Sequence, residues 1–154
     1  DVFEEVNASV LGVEEVPWED VESYGIVGGV RETDRRWKVD SLVEKPPRAE
    51  AASNMGIVGR YVLTPEIFEA LSRTTPGRGC EIQLTDGLAL LRQGQPIYAY
   101  QFEGTRYDTG RPLGMLRAAI ELGLKRPDIG EPLRALLERL VAEGRETASA
   151  AAHS

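Results

Sequence analysis

The chain has 154 residues, of which 42% are hydrophobic and 28% are charged, values typical of a single globular domain. Its net charge of -7 argues against nucleic-acid binding, which requires a basic surface. No apolar run approaches the roughly 20 residues of a transmembrane helix, so we expect no membrane-spanning segment. The acidic N-terminus also lacks the basic region of a signal peptide.

The small number of cysteines and histidines narrows the possible chemistry further. The only cysteine is Cys80, so a disulfide framework is impossible and a reducing cytoplasm is the expected compartment. The only histidine, His153, lies in an alanine-rich tail that we expect to be frayed or flexible. The sequence therefore predicts neither a Cys/His zinc site nor histidine-dependent catalysis.

The pattern of apolar residues, prolines and glycines predicts alternating strands and helices. Along the chain it predicts a strand at 7–16, a helical turn at 17–25, two strands at 25–33 and 36–45, a loop at 46–54, a strand at 54–63, helices at 64–71 and 82–94, a strand at 96–104, a strand end, glycine turn and long helix over 106–126, and a helix at 130–144. Thr64 is the predicted N-cap of the helix that follows it. The strands at 25–33 and 36–45 are expected to pair antiparallel. The mixture predicts an α/β fold, with a mixed sheet flanked by helices.

Two candidate sites lie at strand ends in the first half of the chain. At Tyr24-Gly25, a glycine would let a ligand approach the backbone, although a simple turn would explain the same residues. At Glu44-Lys45-Pro46, a carboxylate that accepts from hydroxyls adjoins an ammonium group that attracts phosphate. Because side chains alternate along a strand, a bend at Pro46 would be needed to bring both groups to one cleft. An ordinary ion pair at an exposed strand end is the alternative.

A third candidate is Asp108, within the segment Tyr107-Asp108-Thr109-Gly110 that precedes a long helix. A carboxylate at a strand end suits Mg²⁺, which binds one or two carboxylates together with phosphate oxygens. The N-cap of the following helix is the alternative explanation for Asp108.

Together these motifs resemble a known family. The order SYG, VEKP, SNMGIVGRYVLTPEIF, GCEIQLTDGLALL and YAYQFEGTRYDTG is similar to the bacterial glucose-1-phosphate uridylyltransferases, the UDP-glucose pyrophosphorylases of the sugar-phosphate nucleotidyltransferase family. The resemblance covers about Ala8 to Gly130. It implies a Rossmann-like nucleotide-diphospho-sugar transferase fold, of which this chain would form the C-terminal half.

The resemblance also implies an activity, a cofactor and roles for individual residues. The family makes UDP-glucose and pyrophosphate from UTP and glucose 1-phosphate with Mg²⁺. By similarity, the catalytic residues would be Lys45, which would bind the sugar phosphate, and Asp108, a Mg²⁺ ligand. The implied substrate-binding residues are Tyr24, Gly25, Glu44, Lys45, Asn54 and Glu81. Members of this kind are often dimers or tetramers, so we expect a homo-oligomer.

One expected part of the family pattern is missing from the sequence. No glycine-rich G-x-G-T-R loop, which would hold the UTP phosphates, occurs before Val6. We therefore interpret residues 1–130 as the sugar-binding half of a nucleotidyltransferase domain and residues 131–154 as a C-terminal helix with a flexible tail. The alternative is a non-catalytic fragment that binds sugar phosphate or supports oligomerisation. Another nucleotide or sugar within the same family is a further alternative.

Overall fold

A computed structural model describes residues 1–77 and 80–151 of the chain, with side chains through residue 145. The chain forms two compact units, Asp1–Glu103 and a second unit that begins at Gly104. Each unit is described by itself below. The division predicted at residue 130 separates a sugar-binding half from a C-terminal helix on functional grounds, and it stays a prediction.

The first unit is built on a closed, mixed sheet of five strands. They are β1 (Ser9–Glu15), β2 (Gly25–Arg31), β3 (Arg36–Glu44), β4 (Met55–Val62) and β5 (Ile97–Gln101). The order around the sheet is β1-β4-β2-β3-β5, and β5 pairs parallel with β1 and antiparallel with β3. All five strands lie within the segments that the sequence predicts. The antiparallel pairing of β2 with β3 is confirmed, and so is the mixed sheet.

The closure of this sheet into a barrel was not predicted. It depends on three residue pairs between the start of β3 and the end of β5, from Arg36 opposite Tyr100 to Lys38 opposite Tyr98. These partners are sixty or more positions apart in the sequence, so no local pattern predicts their pairing. The core fills the barrel and the space beneath two helices, and it includes Leu11, Val13, Leu88, Ile97 and Ala99.

Three α-helices and two short 3-10 helices complete the first unit. They are α1 (Val2–Val6), α2 (Ile67–Arg73), α3 (Leu84–Leu91) and short 3-10 helices at Trp18–Ser23 and Arg48–Glu50. Helix α1 was missed by the sequence analysis, although Asp1 and Glu4 form a capping box at its start. Helix α3 packs on β3 and helix α2 packs on α3, and both contribute buried apolar residues to the core.

The predicted N-cap at Thr64 is wrong. Helix α2 begins three residues later, at Ile67, and has no side-chain cap. The Thr64 hydroxyl instead accepts a hydrogen bond from Gln95 at 2.7 Å, while its N–H donates to the Ser9 hydroxyl at 3.1 Å. Thr64 therefore ties the start of β1 to the segments after β4 and α3.

The second unit contains two helices, α4 (Pro112–Leu124) and α5 (Gly130–Ala151). The strand end predicted near Asp108 is wrong, because residues 105–108 are not part of a strand. Helix α5 continues to Ala151, and the flexibility of the tail from residue 147 stays a prediction. The remaining tail residues, including His153, lie outside the described residues. No helix in the described part of the chain combines the length and apolar character of a membrane span.

Candidate functional site

The end of β3 turns sharply at Lys45. Strand β3 stops at Glu44, and Lys45 has a φ of 46°, in the left-handed region that residues other than glycine seldom occupy. Its N–H still donates to the Tyr24 carbonyl at 2.9 Å, which continues the pairing with the residue before β2. Pro46 follows and is fully buried, and it has no N–H that would need a partner. The predicted bend exists, but the backbone reverses at Lys45 rather than at Pro46.

This turn places the Glu44 carboxylate and the Lys45 ammonium side by side. The Glu44 Oε1 atom lies 3.6 Å from Lys45 Nζ. The Glu44 side chain is 18% exposed and that of Lys45 is 43% exposed, so the pair lies at the surface with its acid end largely covered. A left-handed residue away from glycine costs about 1–3 kcal/mol, and such strain clusters at ligand sites. The choice between a binding site and an ordinary ion pair stays a prediction.

Thr85 holds the second oxygen of Glu44 from the opposite side. The buried Thr85 hydroxyl donates to Glu44 Oε2 at 2.6 Å, a short bond of the kind that an ionised acceptor makes. Thr85 lies in the first turn of α3, forty-one residues away in sequence. The sequence analysis missed it, although the segment EIQLTD that contains Thr85 was recognised. Only Oε1 of Glu44 is left to face Lys45.

Gly25 is required by this arrangement. It lies opposite Glu44 in the β2–β3 register. A Cβ atom at Gly25 would lie 2.9 Å from Thr85 Oγ1 and 3.0 Å from Glu44 Oε2, so any side chain there would push the pair apart. A turn alone does not account for this close packing, in which Gly25 leaves space for the side chains of Thr85 and Glu44, while a ligand contact at Gly25 stays a prediction. The structure thus brings Tyr24, Gly25, Glu44 and Lys45 together.

Tyr24 and Tyr61 lie beside this group in different ways. The ring of Tyr24 packs against the small cluster of Val16, Val21 and Ile26, so what it contributes at the strand end is its carbonyl. Tyr61, near the end of β4, is 37% exposed. Burial, and then the charge of Glu44, raise the pKa of the Tyr61 hydroxyl.

Two other predicted binding residues have backbone contacts. The Asn54 side-chain amide donates to the Val16 carbonyl at 2.9 Å, and the Asn54 carbonyl accepts from the Val16 N–H at 2.9 Å. Asn54 therefore ties the end of β1 to the start of β4. Glu81 is exposed, and its carbonyl accepts from the Gly77 N–H at 2.9 Å. A direct role of either residue in sugar binding stays a prediction.

Asp108 lies in the second unit, in a turn before α4. Helix α4 begins at Pro112 with Arg111 as its N-cap, so the alternative explanation of Asp108 as the cap is wrong. Its Oδ1 atom instead accepts from the Gly110 N–H at 3.1 Å, and its Oδ2 atom lies 4.0 Å from Arg111 Nε. The side chain is 53% exposed.

The chemistry of Asp108 fits one ligand of a hard cation. An exposed carboxylate oxygen suits Mg²⁺, which usually completes its shell with water and phosphate oxygens rather than with a protein cage. Among the side chains that the structure describes, in residues 1–77 and 80–145, no group of three or more acidic, cysteine or histidine residues is arranged for a metal ion. A role of Asp108 in holding Mg²⁺ stays a prediction.

The mixed five-stranded sheet and its helices define an α/β protein, and comparison with known proteins identifies its family. The model of the nucleotidyl transferase family matches residues 3–123. A UTP–glucose-1-phosphate uridylyltransferase from Staphylococcus epidermidis is 46% identical over 140 residues, which are 91% of this chain and 49% of that protein. The chain belongs to the nucleotidyl transferase family.

Solved structures give the same result. A UDP-glucose pyrophosphorylase described as complexed with UDP-glucose has a TM-score of 0.77 and 40% identity, over 81% of this chain and 47% of the other. A UTP-bound pyrophosphorylase from Acinetobacter baumannii has a TM-score of 0.78 and 35% identity, over 90% of this chain and 48% of the other. The chain thus spans about half the length of the relatives it matches.

Proposed function

We propose that the chain is the sugar-phosphate-binding part of a uridylyltransferase, the C-terminal half of a Rossmann-like nucleotide-diphospho-sugar transferase fold. The whole polypeptide would form UDP-glucose and pyrophosphate from UTP and glucose 1-phosphate. The observation that carries the proposal is the Glu44–Lys45 pair, held at the end of β3 by Thr85 and by the left-handed turn. The names of the relatives support the reaction and its substrates.

Each group in the first unit has a role that follows from its contacts. Thr85 occupies one oxygen of Glu44, which leaves Oε1 to accept a hydrogen bond from a sugar hydroxyl. Lys45 supplies a positive charge beside it for the sugar phosphate. The backbone at Tyr24 and Gly25 forms the adjoining wall, and we assign further sugar contacts to Asn54 and Glu81 on the strength of the family resemblance.

The reaction is a displacement at phosphorus. An oxygen of the sugar phosphate forms a bond to the α-phosphorus of UTP while the bond from that phosphorus to pyrophosphate breaks. Two anions must approach each other, so Lys45 would reduce their repulsion and orient the nucleophile. Asp108 would hold Mg²⁺, which supplies charge neutralisation at the phosphates when bound.

Calorimetric titration of glucose 1-phosphate with Mg²⁺ into this chain tests the proposal. We expect millimolar or tighter binding that weakens at least tenfold in Lys45→Ala, about 1.4 kcal/mol, because the phosphate loses its cation. Lys38→Ala is the matched control, since it removes the same charge from the exposed face of the same strand. Absence of binding to the folded wild-type chain would contradict a preformed sugar site. If Lys45→Ala and Lys38→Ala weaken binding equally, Lys45 would act only through the overall charge of the protein.

The chain's length relative to its matches favours a second candidate for these residues alone. Because it spans about half of each relative, it would by itself be a non-catalytic module that binds sugar phosphate. Adding UTP and measuring pyrophosphate release tests this candidate. Release by this chain alone would contradict the module, while binding of sugar phosphate without release would support it.

We also propose self-association and a cytoplasmic location. Exposed apolar residues on the second unit's helices offer surface for an oligomer: Leu113, Met115, Leu116, Leu122, Leu136, Leu140 and Val141. Light scattering after size exclusion should give a dimer or a tetramer, and a clean monomer at micromolar concentration would contradict this. The single exposed thiol of Cys80 suits a reducing compartment.

A further inference from the structure

A three-residue contact in the second unit lies directly beside Asp108. The Tyr107 hydroxyl donates to Glu121 Oε2 at 2.9 Å, and Arg117 Nε donates to Glu121 Oε1 at 2.6 Å. Arg117 and Glu121 are one turn apart on α4, so the carboxylate between the two donors is fixed to the helix. Tyr107 immediately precedes Asp108, and its bond to Glu121 attaches that segment to α4.

The same segment touches α4 at a second point. A Cβ atom at Gly114, in the first turn of α4, would overlap the carbonyl oxygen of Asp108. The helix backbone and the Asp108 backbone are therefore in direct contact, which only glycine permits here. Three contacts therefore fix the turn: the Tyr107–Glu121 bond, the backbone contact with Gly114 and the Gly110 N–H bond to Asp108 Oδ1.

An ordinary helix-surface ion pair would not explain this arrangement. An isolated Arg117–Glu121 pair stabilises a helix by about 0.2–0.5 kcal/mol and needs no third partner. Here Glu121 also binds the hydroxyl of a residue outside the helix. Arg117, and then Tyr107, hold the pKa of Glu121 below its ordinary value, so the acceptor is ionised at neutral pH.

We infer that Glu121 is a positioning residue, which acts through Tyr107 to fix the Asp108 turn against α4 so that Asp108 presents its Oδ2 atom to a cation. This inference rests on the proposed Mg²⁺ role of Asp108. Nothing in the sequence pattern or the family comparison assigns a role to Glu121. Its side chain touches Tyr107 and Arg117, and its effect on Asp108 is exerted through Tyr107.

Nuclear magnetic resonance on the full chain tests the positioning without any ligand. Tyr107→Phe removes one hydroxyl and keeps the ion pair, and Glu121→Gln removes the charge. In both we expect the ¹⁵N order parameters of Asp108, Thr109 and Gly110 to fall from about 0.85 towards 0.6 while the melting temperature changes little. Glu138→Gln is the control, because it removes the same charge from an exposed position of α5. Unchanged order parameters in both Tyr107→Phe and Glu121→Gln would overturn the inference.

A titration with Mn²⁺, a paramagnetic substitute for Mg²⁺, completes the test. We expect Mn²⁺ to broaden the amide signals around Asp108 in the wild type, with a dissociation constant at least tenfold higher in Tyr107→Phe and unchanged in Glu138→Gln. Wild-type broadening that Tyr107→Phe leaves unaltered would overturn the inference and keep the metal assignment. Absence of broadening near Asp108 in the wild type would overturn both.

Discussion

The bond between Thr85 and Glu44 makes a sharp prediction about stability. Replacing Thr85 by valine keeps the shape of the side chain but removes the hydroxyl that donates to Glu44 Oε2 at 2.6 Å. The carboxylate is only 18% exposed, so water can replace the lost donor only in part. We expect Thr85→Val to destabilise the first unit.

The expected size follows from two opposing contributions. A hydrogen bond to a charged group contributes about 1.5–3 kcal/mol. The buried methyl that replaces the hydroxyl returns about 0.8 kcal/mol. The net loss should therefore be roughly 1–2 kcal/mol in the free energy of unfolding.

The assay is urea unfolding followed by tryptophan fluorescence. Both tryptophans, Trp18 and Trp37, lie in the first unit, so the signal reports on that unit alone. With a slope of about 2 kcal/mol/M, the midpoint should fall by roughly 0.5–1 M. The same substitution is then made in Glu44→Ala, where the hydroxyl has lost its acceptor and valine should be neutral or stabilising. The effect of Thr85→Val on the free energy of unfolding should therefore differ by about 1.5–3 kcal/mol between the wild type and Glu44→Ala.

A result without coupling would refute this reasoning. If Thr85→Val lowers stability equally whether or not Glu44 is present, the hydroxyl does not stabilise the carboxylate. The loss would then reflect packing in α3, and Thr85 would have no part in orienting Glu44.

Three further outcomes follow from backbone conformation, burial and close packing. Because Lys45 has a φ of 46°, Lys45→Gly should be about 1 kcal/mol more stable than Lys45→Ala in urea unfolding, and equal stabilities would argue against backbone strain. Burial raises the pKa of Tyr61 in the folded chain above its unfolded value near 10.0. The stabilisation that the neutral phenol gives the folded state is fully present below the unfolded pKa and is lost as pH rises through the folded pKa. Wild type should therefore lose stability faster than Tyr61→Phe above the unfolded pKa, and parallel curves of stability against pH would refute this. Gly114→Ala should unfold more easily because its Cβ would overlap the Asp108 carbonyl. Gly144→Ala is the comparison: a Cβ atom there would lie in open space, so this variant should gain up to about 1 kcal/mol. Circular dichroism in urea measures both, and a stabilised Gly114→Ala would contradict the contact.

Local sequence patterns were sufficient for the strands and for most of the helices. Short runs of apolar and β-branched residues, bounded by glycine and proline, predicted all five strands and the β2–β3 pairing, because these signals depend on neighbouring residues. The same approach failed at Thr64. Threonine is a common N-cap residue, but the Thr64 hydroxyl binds Gln95, thirty-one residues away. It also missed the short helix α1.

The candidate site was partly predictable for a similar reason. Glu44 and Lys45 attracted attention because an acid and a base adjoin two prolines. The rule that a residue before proline is extended gave no indication of the left-handed Lys45, which tertiary contacts stabilise.

The sequence by itself therefore determined the order of the elements, the family resemblance and the residues at the end of β3. Only the tertiary structure decided that Thr85 would reach Glu44 from α3, that Gly25 would leave space for both, and that Glu121 would bind Tyr107. Residues close in sequence leave a local signature because they share one helix or strand. Partners such as Thr85 and Glu44 meet only after chain folding has brought distant segments together, and no local pattern records that encounter.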